Sequence, residues 1–493
     1  MTISKSQYIK GKQCPKALWF SLYRKDLAPP VDAAKQALFD SGNEVGDWAK
    51  KCFPAGVEVT EPYFKAREGA DATAALISAG HEVIFEATAI HAIDGTYSLI
   101  DILRKVSGAD AWDMIEVKGS TGVKDYHSDD MSFQYRVFTG AGYRINRCFM
   151  MLIDNEYVRR GGIDPQRLFK MEEITADVLG QQPDIEAAVL TMKSVCESKD
   201  EPQASIGARC FKPFDCDYMK HCWNGVPDYS IYNVFTGKKA DEIVESLGSY
   251  EVKSLTAELM PAGAKAKYVR SYISGEVYSE PANIRGFLQG LQYPLYYLDY
   301  ETIAAAIPLF EGTRPFQAIP FQFSLHVEHS PGAELQHHMF LHKEATDPRK
   351  AFIEDLISRC GSKGSVVVYN QAFEKGINTS LQRDFPNHAA AIEEINARMV
   401  DLLVPFKSRW LYHPAQNGSA SIKNVLPAFT PLKYDGLGIT NGQDASQKYL
   451  DFMHSKLSPV ETEKLMADLE AYCGLDTLAM KALVNVLYEN AKQ

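Results

Sequence analysis

The sequence contains no apolar run long enough to cross a bilayer and no signal-peptide pattern at its N-terminus, where a spanning helix would need about 20 predominantly apolar residues. These absences make the cytoplasm the expected compartment, where disulfides are rare. There is no internal repeat and no low-complexity segment, so neither a solenoid array nor a compositionally biased tract is expected. Positive charge is also in short supply: 52 Lys and Arg face 63 Asp and Glu, for a formal net charge of -11. That balance argues against a protein that coats nucleic acid non-specifically. It leaves room for an enzyme acting on nucleic acid, because metal-binding carboxylates add negative charge of their own. Local basic stretches survive: residues 1–25 carry Lys5, Lys10, Lys12, Lys16, Arg24 and Lys25 and no acid, and Arg144, Arg147, Arg159, Arg160 and Arg167 form a second group. Both read as solvated surface.

What is present is the composition of a soluble globular protein, 45% hydrophobic and 23% charged over 493 residues, a length that predicts two or three domains. Strand patterns dominate from Val83 to about Phe149, in "EVIFEATAI", "YSLIDILRK", "WDMIEVKG" and "RCFMMLI". The stretch from Ser230 to Leu291 turns helical and charged, as in "KKADEIVESL" and "NIRGFLQGLQ". Strands resume near Tyr293 with "PFQFSLHVEH", "HHMFLH" and "SVVVYN", before a final helix through "EKLMADLEAYCGLDTLAMKALVNVLYENA". The pattern predicts an α/β chain in three parts: an N-terminal unit over 1–228, a helical connector over 229–290 and a C-terminal unit over 291–493.

In the stretch "YYLDYETIAAAIPLF", residues 296–310, Asp299 and Glu301 sit one residue apart in apolar and aromatic surroundings. Alternate strand positions share a face, and two buried like charges are costly unless something positive lies between them. "AYCGLDTLAM" supplies Tyr472 and Asp476, four apart and therefore on one helix face. "VVVYNQAFEKGI" supplies an apolar strand followed by Glu374 just inside a helix. Four acids of this kind suit hard cations such as Mg²⁺ or Mn²⁺. A pair of such ions about 3.5–4 Å apart cleaves phosphodiesters by activating water and stabilising the leaving oxygen. Taken singly, the 299/301 pair reads more readily as a solvated strand end and Tyr472 as core packing.

Together these fragments resemble the RNase H-like 3′-to-5′ exonucleases of the four-acid type, over about 200 residues. "LDYET" matches the first motif of that family, which implies that Asp299 and Glu301 are metal ligands. "YNQAFE" resembles the second with Glu374 in place of the usual Asp, and Asp401 in "MVDLLVPF" is the other acid for that role. "YCGLD" matches the third in its tyrosine form, implying that Tyr472 places the attacking water and Asp476 binds metal.

In the N-terminal unit, "YSLIDILRKVSGADAWDMIEVKG" reads as two strands about the turn "SGAD". A turn centred between Gly108 and Ala109 sets Asp101 opposite Glu116, with Lys118 on the face of Glu116. Two acids and a lysine at one spot suit Mg²⁺ and a phosphate oxygen, although spacing alone describes a polar hairpin face equally well. Asp101 followed by Glu-x-Lys at 116–118 looks like the core of the PD-(D/E)XK nucleases, and Gln134 and Tyr135 in "FQYRVF" are similar to the Gln-containing helix of their RecB-like branch. That branch implies a metal-binding His upstream; "SGNEVGDWA" has none, and Glu44 and Glu86 are the candidate substitutes.

Cys14 in "QCPKALW" and the trio Cys210, Cys216 and Cys222 in "RCFKPFDCDYMKHCW" bracket this unit. Three thiols so close together in a cytosolic chain point to a metal. One distant cysteine plus a C-terminal trio resembles the [4Fe–4S] staple of RecB-like nucleases, with zinc as the competing occupant of four thiolates. His221 is expected to face solvent, and Cys52, Cys148, Cys196, Cys360 and Cys473 to be ordinary buried thiols. Both halves in this order resemble a bacterial family that fuses an iron–sulfur RecB-like nuclease to a four-acid exonuclease, "SIKNVLP" being similar to a further segment of it. The resemblance implies a metal-dependent nuclease acting on DNA. An RNA-trimming exonuclease and a catalytically degraded nucleic-acid-binding module are the alternatives.

Overall fold

The structure is a computed structural model and describes residues 2–492. It is a mixed α/β protein that divides into two compact units, Met1–Gly225 with Ala306–Phe316, and Val226–Ala305 with Gln317–Gln493. Among the described residues, no helix is long and apolar enough to cross a membrane.

The first unit holds a six-stranded sheet whose spatial order follows the chain: β1 (Val57–Glu58), β2 (Val83–Ile90), β3 (Tyr97–Lys105), β4 (Trp112–Lys118), β5 (Ile145–Ile153) and β6 (Phe169–Glu173). β1 runs parallel to β2, and β4 parallel to β5, each pair joined through a helix, Ala66–Ser78 and Asp125–Gly140 respectively; the other pairings are antiparallel. Facing pairs on β3 and β4 alternate between two cores. Leu103 and Met114 pack with Phe133 and Val137 of the helix Asp125–Gly140, whereas Ile102 and Ile115 pack with Val45 and Ala49 of the helix Ala33–Lys50. A sheet apolar on both faces in this way must be covered on both. The register Ile102↔Ile115, continued by one residue, sets Asp101 opposite Glu116, as the turn geometry predicts. On the other side of β3 the pairing skips from Phe85↔Ile102 to Ala87↔Ile100. The skipped residue is Glu86, whose φ of 53° is rare for a residue with a side chain.

The second unit holds β7 (Tyr278–Ser279), β8 (Leu295–Ile303), β9 (Ile319–Glu328), β10 (Gln336–Leu341), β11 (Ser365–Val368), β12 (Met399–Asp401) and β13 (Leu411–Tyr412). Five of them form a sheet in the order β10–β9–β8–β11–β12, and β7 and β13 form a two-stranded ribbon. β8 is central, antiparallel to β9 and parallel to β11. Gly364 brings the chain into β11 at φ +86°, where a Cβ would stand 2.0 Å from the carbonyl oxygen of Pro294; only glycine fits. Along β8, Tyr296, Leu298 and Tyr300 pack into one core, and Leu295 and Tyr297 into the other with Ala479, Met480 and Leu483 of the C-terminal helix Pro459–Asn490. By strand alternation Asp299 and Glu301 continue the second face, so the fold aims them at that helix.

The strands expected from the sequence are all found, within a few residues at their ends. The stretch 229–290, expected as a connector, is helical but falls within the second unit. Its apolar residues, among them Ile231, Val234, Ile243 and Val269, form a core with Tyr412, which a solvated linker would not. Conversely, 306–316, expected to follow β8 in the C-terminal unit, belongs to the first. There Ala306 and Ile307 pack with Tyr157, and the Arg159 guanidinium donates to the carbonyls of Pro308 and Leu309.

Candidate functional site

The C-terminal helix starts with a capping box, Ser458 and Glu461, and turns Tyr472, Cys473, Asp476 and Met480 toward β8 at helical spacing. Asp299, Glu301, Tyr472 and Asp476 line one open cavity of about 200 Å³, together with Tyr369, Phe373 and Gly442. Ligand atoms of Asp299, Glu301 and Cys473 lie within 4.8 Å of one another, the one such group of three or more among the described residues. The Cys473 thiol is 3.8 Å from both the backbone oxygen and Oδ2 of Asp299. Tyr434 donates its hydroxyl to Asp476 Oδ1 at 2.5 Å. Lys423 is the cation of this centre. Its Nζ lies 5.3 Å and 5.0 Å from the ring centroids of Tyr434 and Tyr472 and donates to the carbonyl of Thr440.

Crowding shows in the ionisation. Burial, then Asp476, Glu301 and Glu374, hold the Asp299 carboxyl well above the usual carboxylate range. Burial and Asp476 push Glu301 up to about 8, against the opposing pull of Lys423. Burial raises Asp476 to about 6, against the hydrogen bond from Tyr434 and the charge of Lys423. The centre has more carboxylates than cations to match them, and a hard divalent ion suits such a donor set.

Glu374, the second-motif acid, belongs to the buried stripe Glu374, Ile377, Asn378 and Leu381 of the helix Gln371–Asp384; Phe373 beside it lines the cavity, while the Glu374 charge still bears on Asp299. Its Oε2 is buried without a partner, and burial pushes its carboxyl up to about 8. Asp401 is engaged elsewhere: its Oδ1 accepts the amides of Asn370 and Leu403, both at 2.9 Å. Three residues of this centre escape a reading from sequence. Cys473 is buried, as expected of an ordinary thiol, yet sits among the acids; Lys423 and Tyr434 stand outside the motifs, although "SIKNVLP" contains the lysine.

The N-terminal centre assembles as expected and gains a member. Asp101 Oδ2 accepts the amide of Val117 at 2.6 Å. Glu116, 2% exposed, accepts Lys118 Nζ at Oε1 and Gln134 Nε2 at Oε2, each at 2.8 Å. Lys118 also reaches Asp130 at 3.1 Å. Lys5, read from sequence as solvated surface, instead donates to Glu116 Oε1 at 2.8 Å. Burial and Glu116 push Asp101 up to about 7, whereas Lys118 and Lys5 overcome burial and hold Glu116 well below the usual carboxylate range. Glu86 takes the register position on the other side of Asp101 and lies 3.5 Å from Lys50. Glu44 stays partly exposed on the helix Ala33–Lys50, and Tyr135 packs against the core.

Cys14, Cys210, Cys216 and Cys222 line one cavity together with Phe20 and Tyr218. All four are free thiols, and the Cys216 amide donates to the Cys210 carbonyl at 2.8 Å. No three of them have sulfurs mutually within 4.8 Å, whereas four thiolates on one zinc ion, at about 2.3 Å each, would stand about 3.8 Å apart. His221 faces solvent, and Cys52, Cys148, Cys196 and Cys360 are buried core thiols.

A family described as "Domain of unknown function (DUF2779)" matches residues 296–421, a span holding Asp299, Glu301 and Glu374 but not Tyr472 or Asp476. The chain is similar to a Mycoplasma pneumoniae protein described as "Uncharacterized protein MG366 homolog", 27% identical over 216 residues, 40% of this chain and 32% of the relative. It is similar to "Uncharacterized protein MG366" of Mycoplasma genitalium, 25% identical over 224 residues, again 40% of this chain and 32% of the relative. A third relative, "Uncharacterized protein UU173" of Ureaplasma parvum, is 24% identical over 294 residues, 54% of this chain and 42% of its own length. The chain thus spans about a third to two fifths of the length of these curated relatives.

Proposed function

We propose that the chain is a metal-dependent nuclease acting on DNA, with a 3′-to-5′ exonuclease centre in the second unit and a second nuclease centre in the first. The observation that carries this reading is the convergence of Asp299, Glu301 and Asp476 beside Tyr472 in one open cavity. Acids on the central strand, completed by the C-terminal helix, support an RNase H-like reading of that unit. The facing pair Asp101 and Glu116, with Lys118 and Gln134, supports a PD-(D/E)XK-like reading of the other.

Asp299, Glu301 and Asp476 would hold Mg²⁺ or Mn²⁺, with Cys473 packed against them. Such ions lower the pKa of a bound water and stabilise a leaving oxygen. The rest falls to the chain. The Tyr472 hydroxyl orients the attacking water. Tyr434 fixes the Asp476 carboxylate through its hydrogen bond. Lys423, beside the Tyr472 ring, would supply positive charge for a phosphate of the substrate. In the first unit, Cys14, Cys210, Cys216 and Cys222, which line one cavity, would hold a [4Fe–4S] cluster, with zinc as the alternative occupant.

The test is digestion of 5′-end-labelled DNA and RNA strands by the purified protein with Mn²⁺. A ladder of 3′-shortened DNA is expected. Shortening of RNA alone would transfer the activity to RNA, and no cleavage of either with no Mn²⁺ binding would leave a nucleic-acid-binding module.

A further inference from the structure

Both oxygens of Glu116 are taken, and the cation that does not come from the sheet arrives from far along the chain. Lys5 Nζ and Lys118 Nζ share Oε1, each at 2.8 Å, while Gln134 holds Oε2. Lys118 and Gln134 alone would anchor the carboxylate, so Lys5 is surplus to holding Glu116 in place.

Its delivery is built in. Ile3 is fully buried, and its carbonyl accepts the Tyr97 amide at 3.1 Å, fixing the chain against β3 just ahead of the lysine. Ser4 then caps the helix Lys5–Gln13 through a reciprocal box with Gln7. Further along that helix, Lys12 pairs with Asp129 at 3.2 Å and Lys10 with Asp217, and Cys14 of the thiol cluster caps its end. A lysine on a helix pinned along its length does not wander as a surface lysine does.

We propose that Lys5 is a tethered competitor for the divalent cation at the N-terminal centre: its ammonium stands at the Glu116 oxygen that, with Asp101, would ligate the ion, so the ion binds only by displacing it. This rests on reading Asp101 and Glu116 as cation ligands. Two positive charges a few ångströms apart in a buried site repel strongly. Removing the tethered one therefore tightens the other.

The test isolates this centre in the full chain by disabling the other with Asp299→Asn and Glu301→Gln, then measures Mn²⁺ binding by the loss of the free Mn²⁺ paramagnetic resonance signal. In that background Lys5→Gln, which keeps length and loses charge, should lower the Kd about tenfold or more, about 1.4 kcal/mol. Lys5→Arg should bind as the parent does, and Glu116→Gln should abolish binding. Mn²⁺ bound by Lys5→Gln no more tightly than by the parent overturns the competition while leaving the metal centre standing. Mn²⁺ bound by neither protein overturns both.

Discussion

The two acidic centres use the same materials and balance them in opposite ways. In the first unit, Glu116 meets two ammonium groups and an amide at hydrogen-bond distance, and Lys118 spans to Asp130 as well. In the second, Asp299, Glu301 and Asp476 share one lysine that makes no ion pair with any of them, and their carboxyls are held above the ordinary range. At Glu116 the charge is satisfied from within the chain, so an ion would have to compete there, although Asp101 beside it is itself raised to about 7. Charge left unsatisfied gives a centre that a bound cation would complete. The second arrangement fits a site whose catalysis depends on metal, and it is where the largest effects are expected.

Asp299→Ala should therefore cost several powers of ten in trimming of a 5′-labelled strand, because nucleophile activation and leaving-group stabilisation fail together. Asp101→Ala, assayed side by side, should trim as the parent does. If the two results are exchanged, the exonuclease assignment is wrong. Cys216→Ser should abolish the brown colour and iron content expected of anaerobically purified protein, and lower the melting temperature of the first unit, since a ligand set tying distant segments contributes to folding. Colourless parent protein with stoichiometric zinc would replace the cluster by zinc. Tyr472→Phe should lose about 10²-fold or less in trimming rate, because it removes an orienting hydroxyl and no metal ligand. A loss matching Asp299→Ala would make Tyr472 more than an orienting group.

The smallest effect tests the charge comparison itself. Glu301 and Asp476 carry raised pKa values in the folded chain, about 8 and about 6, against ordinary values of 4.5 and 3.8. A carboxyl raised on folding favours the folded state only while protonated. Its contribution is thus present at low pH and lost as pH rises from about 4 to about 8. Without metal, the melting temperature of the second unit should fall over that window by several degrees, at about 2–4 °C per kcal/mol. Mn²⁺ should largely remove the fall. A metal-free transition that does not move between pH 5 and pH 8 would show that the acids are not crowded as described.

Much of both centres was legible in the sequence, for local reasons. A symmetric hairpin fixes which residues face each other, so Asp101 and Glu116 could be paired by counting from the turn. Helical spacing put Tyr472 and Asp476 on one face, and the four cysteines read together from the sequence do line one cavity. What was hidden depends on helix phase or distance. Asn370, at φ 85°, sets where the next helix begins, and one residue of phase decides whether Glu374 or Phe373 meets the cavity. Lys5 reaches Glu116 across 111 positions of sequence, beyond any periodicity, and an acid-free run invites the reading of plain surface.

The excursion of 306–316 into the first unit bears on how the two halves could ever be separated. The chain passes between the units at Gly225, returns at Ala306 and leaves again after Phe316. A protein truncated at the single natural-looking joint would strip Ala306 and Ile307 from the core beside Tyr157, and would leave Arg159 without its two carbonyl acceptors. The halves are therefore not modules that recombination can shuffle by one crossover. A first unit made by itself would need residues 306–316 supplied along with 1–225.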